Sequence, residues 1–368
     1  MGNFSRFWDK LVERIKSSER PSPSTVAIPR DHIDNNQNGE LDYKFTRDQH
    51  YFQVMINEMY LTDQRRGLVN IDPLVYTVCE FSYKKKTQTV PFLVGPSMLK
   101  EKGVPDQYSQ GMIIRNTSVS GLHPYRGEGL SLAIVLLEAR ENALRPLLSV
   151  IERVSGALNF SPALAPYTSV AGVLMEGFEA FFNAGGVEPL VGLRDSYGPN
   201  YNIPFQPGYY ALIDAPGIAE GELWVKKNQL MIGDSLESAS RFRQADFVLY
   251  SFIGPEENKR DDLDKLPFSE VWDRVRDEAA SPVDEPDYKN ALVQMGALYR
   301  QMVSSPDLTD DHALELAETW FARMETIHKQ AKKIGLQAGE EELSDEARAE
   351  KALQDKARRR VLEIVQGL

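Results

Sequence analysis

Strand-like alternation ends for good at Gly254-Pro255, and that limits the folds open to the chain. Ahead of that point apolar side chains recur at every second position: Phe52, Val54 and Ile56, then Val75, Thr77, Cys79 and Phe81. Such alternation lines one face of a β-strand. Leu130 to Leu137 is apolar on both faces and is expected to be a central strand. Further strands are read at Val90 to Val94, Met112 to Val119, Val187–Leu193, Gly208–Ile213, Glu222–Ile232 and Asp246–Ile253, with Lys84-Lys85-Lys86 at a hairpin tip. The strands are interrupted by residues 141–184, where Leu144 to Leu158 and Val170 to Phe182 follow a helical period, the second run closed by Gly185-Gly186. Strict βαβ alternation is absent. The expected fold is therefore α+β: a β-sandwich-like body over 46–255, of about eight or nine mostly antiparallel strands with an inserted helical pair.

Beyond Pro255 no strand signal returns, and 256–368 reads as an all-α C-terminal region. Helices are expected near Phe268–Ala279, Tyr288–Val303, Thr309–Ile334 and Ser344–Val365. The third carries a stripe from Ala313 through Ala317, Trp320, Met324 and Ile327 to Ile334, with Thr309 placed as N-cap ahead of Asp310 and Asp311.

At the other end, residues 1–18 form an amphipathic helix. Phe4, Phe7, Trp8, Leu11, Val12 and Ile15 share one face, and Arg6, Asp9, Lys10, Glu13 and Arg14 the other. A Ser/Pro/Asn-rich linker, 19–45, follows, with Pro21 and Pro23 ending the helix. A helix of four turns is marginal alone in water and needs a surface. Three surfaces fit: a groove on a protein partner, filled by Phe4, Phe7, Trp8, Leu11 and Ile15; a membrane interface; or the chain's own C-terminal helices.

The 368 residues carry a formal net charge of -12, which opposes a broad nucleic-acid surface. The basic clusters Lys84–Lys86 and Arg358–Arg360 lack interleaved aromatics and read as a hairpin tip and a helix end. A single cysteine, Cys79, forbids an intrachain disulfide, charges interrupt any signal-like apolar run, and nothing approaches a membrane span, so a cytoplasmic setting is expected.

Few residues suggest chemistry. Asp34, Asn36, Asn38 and Asp42, with Gly39 between them, follow the spacing of a calcium loop, but its twelfth position holds Phe45 in place of a bidentate glutamate. A polar turn explains them as well. Gly121 to Gly129 places His123 and Arg126 in a glycine-flanked connection that could hold an anion, although it lacks the Lys-Ser/Thr of a phosphate loop. Cys79 with His50 or His123 could form a nucleophile–base pair, yet Cys79 falls on the buried side of a strand. The sequence thus points to a non-catalytic protein–protein interaction or adaptor subunit of a cytoplasmic assembly, docking through its N-terminal helix and C-terminal helices. The alternatives are a membrane-associating effector or an enzyme whose site is not recognisable from motifs.

Overall fold

A computed structural model describes residues 8, 10–13, 23–36, 41–62, 65–66, 69–83, 86–94, 117–118, 121–140, 176–183, 187–215, 217–218, 220–255, 258–260, 262–281 and 285–342. The expected helices at Leu144–Leu158 and Ser344–Val365, and most of the strand expected at Met112 to Val119, lie outside them. The chain forms two compact units, Met1–Leu266 with Ser305–His312, and Pro267–Ser304 with Ala313–Leu368. The division falls later than Pro255 because Arg260 and Leu266 are buried in the first unit.

That first unit is a β-sandwich with a cover on each outer face. One sheet runs β1 (Ser24–Ala27), β10 (Gly208–Ile213), β14 (Phe247–Ile253), β2 (Tyr51–Tyr60) and β6 (Thr117–Ser118), with β7 (His123–Pro124) also on β2. The other runs β3 (Arg65–Arg66), β4 (Val69–Tyr83), β8 (Leu130–Arg140) and β9 (Val187–Tyr197), with β5 (Lys86–Val94) also on β4. All these pairings are antiparallel. Strand β8 lies between β4 and β9, as its two apolar faces require. Between the sheets, Val54, Ile56, Leu212 and Val248 pack with Val75, Cys79, Ile134 and Leu136 in one core. The Tyr197 and Tyr250 hydroxyls, one from each sheet, meet at 2.7 Å inside it.

Alternation leaves each sheet a second apolar face. On the five-stranded sheet this is Leu74, Tyr76, Val78, Val135 and Leu137, covered by Phe178, Phe181 and Phe182 and by Trp8 and Leu11. Phe178 stacks on Tyr76 with 4.1 Å between ring centroids. On the six-stranded sheet it is Tyr209, Ala211, Ile213, Phe247 and Leu249, covered by a three-stranded sheet of β11 (Leu223–Lys226), β12 (Gln229–Ile232) and β13 (Ser240–Arg241). Lys227 and Asn228 both adopt positive φ, as a two-residue hairpin between β11 and β12 needs.

The described residues of 19–45, 23–36 and 41–45, are not a free tether. Strand β1 lies within them, paired with β10 from Ser24↔Ile213 to Ala27↔Tyr210, and Val26, Ile28, Ile33, Leu41 and Phe45 are buried. These five apolar residues, scattered among polar residues and prolines, gave no sustained periodic signal, yet an edge strand needs only one buried side chain per two residues.

In β2 the ladder slips: Leu249 pairs with Glu58 and Tyr250 with Ile56, leaving Asn57 as the extra residue of a bulge. The slip reverses parity, so Val54 and Ile56 face the core before it and Met59 and Leu61 after it. Glu58 thereby points away from that core, toward the hairpin cover. Its carboxylate accepts the Leu230 N–H at 2.7 Å and an Arg243 N–H at 2.9 Å.

The second unit is helical: α1 (Ser269–Ala279), α2 (Glu285–Ser304) and the major part of α3 (Asp310–Glu342). Trp272, Val275 and Ala279 of α1, Ala291, Met295, Leu298 and Met302 of α2, and Ala313, Leu316, Ala317 and Met324 of α3 are buried. Trp272 and Trp320 stack at 4.7 Å.

Candidate functional site

The residues singled out from the sequence are placed as follows. Trp8 and Leu11 are 6% and 1% exposed, packed against the five-stranded sheet of their own chain. They are therefore not available to a partner or a bilayer, which corrects the reading of a freely presented helix. Lys10 extends this seat with an ion pair to Glu179 at 3.2 Å. Phe4, Phe7 and Ile15 lie outside the described residues. The physical reason is the second apolar face of the sheet, which cannot be left in water and is nearer than any other molecule.

Around the calcium-like turn the oxygens serve the chain itself. Asp34 accepts the Lys227 N–H at 2.7 Å, Asn36 accepts the Leu41 N–H at 2.7 Å, and Asp42 pairs with Arg30 at 3.3 Å. Asn38 is outside the described residues, and among those described no three His, Cys, Asp or Glu side chains gather as a metal would need. Cys79 is fully buried in the inter-sheet core, where burial pushes its thiol pKa far up. His123 is equally buried, 4.5 Å from the Phe81 ring and 5.6 Å from that of Phe52.

Arg126 holds carboxylates of this chain rather than a free anion. It donates to Asp48 and Asp310, both at 2.7 Å, and to the Leu308 carbonyl. A second guanidinium, Arg260, donates to Asp262, to the Leu122 carbonyl at 2.9 Å and to the Asp307 carbonyl at 3.1 Å. Together they clamp the returning segment 305–312. Inside the clamp, the Tyr51 oxygen accepts the Thr309 N–H at 3.1 Å and lies 2.8 Å from His312 Nδ1. Burial pushes the Tyr51 phenol upward, which keeps its proton available to that nitrogen. Thr309 Oγ1 accepts the His312 N–H at 3.2 Å, the N-cap that its position predicts. The knot is an anchor: it fixes the first turn of α3.

A surface feature of a different kind stands on the helices. Among the described residues eight large apolar side chains are exposed, and seven belong to α2 and α3; the eighth is Tyr201. Leu292, Tyr299 and Val303 of α2 and Leu314 and Phe321 of α3 are each between 37 and 49% exposed. At 100° per residue, Tyr288, Leu292, Tyr299 and Val303 fall within about 60° of one another, and Leu314, Phe321 and His328 within about 40°. Helix α2 ends at Ser304 and α3 starts at Asp310, while Tyr288 stacks on His328 at 3.9 Å. The helices are therefore antiparallel, and the stacked pair puts both stripes on the same side. They form one apolar face. Exposed Lys289 and Arg300 lie along its α2 rim, and exposed Glu315 and Glu318 along its α3 rim. The spacing of Leu292, Tyr299 and Val303 was legible in the sequence, but a second stripe on a helix that already has one gives no sign of which goes inside.

Comparison with family models, with curated proteins and with solved structures gave no match. None of the described helices is long and apolar enough to cross a membrane.

Proposed function

We propose that the protein is a non-catalytic interaction subunit of a cytoplasmic assembly, and that it docks other polypeptide chains through the α2–α3 face. The observation that carries this reading is the concentration of exposed large apolar side chains there: five of the eight among the described residues, Leu292, Tyr299, Val303, Leu314 and Phe321. Soluble surfaces scatter such side chains singly, whereas contiguous apolar patches with charged rims mark docking sites. The part assigned to the N-terminal helix passes to α2 and α3, because Trp8 and Leu11 are consumed within the β unit. A lone cysteine, buried and unreactive, is in keeping with a reducing compartment.

Site-specific photo-crosslinking tests this. A benzophenone side chain at position 299 of the full chain gives discrete protein adducts in cells, and the same group at 201 gives none. Adducts of equal yield at both positions, or at neither, remove the docking reading.

A further inference from the structure

Resting on that reading, we infer that the occupant of the α2–α3 face is a second copy of the same chain, the two faces closing into a four-helix bundle about a two-fold axis. Three observations select this occupant. The first is charge. A two-fold axis parallel to the helices lays α2 of one copy over α3 of the other, antiparallel, and brings Arg300 onto the Glu315–Glu318 segment of the α3 rim, while Lys289 falls level with residue 327, beyond it. Counting along both helices from the Tyr288–His328 stack sets Arg300 level with residue 316, between the two glutamates. A basic residue of α2 set against acidic residues of α3, and repeated by the axis, suits an isologous contact. The second is apolar fit. The α2 stripe of Leu292, Tyr299 and Val303 meets the α3 stripe of Leu314 and Phe321, and the symmetry repeats the contact. The third is size. Twenty residues of α2 span about 30 Å, and two adjacent helices each about 10 Å wide present roughly 600 Å². Both copies together then bury roughly 1,200 Å², the lower bound for a specific association.

The experiment is sedimentation velocity on the full chain over a hundredfold range of concentration. The wild type sediments as a reversible dimer. Phe321→Glu weakens it on the order of 30-fold, as expected for a central aromatic anchor. Thermal melts of that variant match the wild type at concentrations where both are monomers, since Phe321 is outside either core. Arg300→Glu and Glu318→Arg each weaken the dimer, and the double variant recovers most of the loss. A concentration-independent monomer overturns the inference, as does a dimer indifferent to Phe321→Glu, or paired reversals that add rather than cancel. The crosslinks at position 299 separate this from the docking reading. Adducts of twice the chain mass support both, adducts only with other chains leave docking standing and overturn self-pairing, and no adduct overturns both.

Discussion

The N-terminal helical residues and α2 have the same signature in sequence, apolar side chains three, four and seven apart, and opposite fates. Trp8 and Leu11 are sealed under the first unit, whereas Leu292, Tyr299 and Val303 face water. The difference lies in how many stripes each helix has. The N-terminal segment has one, set against a polar face, and the outer face of the five-stranded sheet takes it. Helix α2 has two: Ala291, Met295, Leu298 and Met302 go into its own unit, and the second stripe is left over. A lone stripe on a chain that also makes a two-faced sheet is a cover. A surplus stripe on a helix already packed is an offer to another molecule.

The sharpest way to break this contrast is Leu11→Ala. Truncating a fully buried leucine costs about 2–5 kcal/mol, so urea unfolding of the first unit should show a marked loss; an unchanged midpoint would mean that the helix is not a cover. Smaller is the effect of Thr309→Ala, which removes the N-cap of α3 at a cost of about 1 kcal/mol. Its loss should appear as faster amide exchange at residues 310–313 with the exchange of β2 and β14 unaltered.

The other cover, the hairpin sheet, meets the buried carboxyl of Glu58 as well as apolar side chains, and the pH dependence of that contact has a definite sign. Burial raises the Glu58 carboxyl above its ordinary value, against the Leu230 N–H and Arg243, which lower it. A raised folded pKa means that the native state holds this proton more tightly than the unfolded chain does. Stability from Glu58 is then full below the unfolded value, about 4.3, and declines as pH rises through the folded one. Relative to Glu58→Gln, the wild-type melting temperature should fall over the interval that begins at about pH 4.3 and runs upward through the raised folded value. A relative rise over that interval would show that Arg243 outweighs burial. Least of all, Phe321→Ser should change the unfolding free energy of the monomer by less than about 0.5 kcal/mol, read by the same urea titration at a concentration below that of dimer formation. A loss comparable with that of Leu11→Ala would place Phe321 in a core and end the contrast.

Much of the architecture was legible. Alternation at Val75, Cys79 and Phe81 and the doubly apolar run from Leu130 placed β4 and β8 correctly, and the three helices after Pro255 stand close to their expected bounds. Residues 24–45 were misread because Val26, Ile28 and Ile33 sit among prolines and serines, where hydrogen bonds to β10 decide the conformation and propensity does not. Arg126 and Arg260 could not be told from surface cations, since the carboxylates and carbonyls that receive them are up to 184 residues away.

The sequence by itself determined the two classes of structure and their order, because hydrophobic period is a local property and each period admits one backbone geometry. It also determined which side chains are apolar enough to require cover. Which of them received it was decided only in three dimensions. The bulge at Asn57 that turns Glu58 outward and Met59 inward, the seating of Trp8 on the sheet and the exposure of Phe321 all depend on surfaces assembled from distant segments. Burial is a relation between parts of the chain, and no single window of residues contains both sides of it.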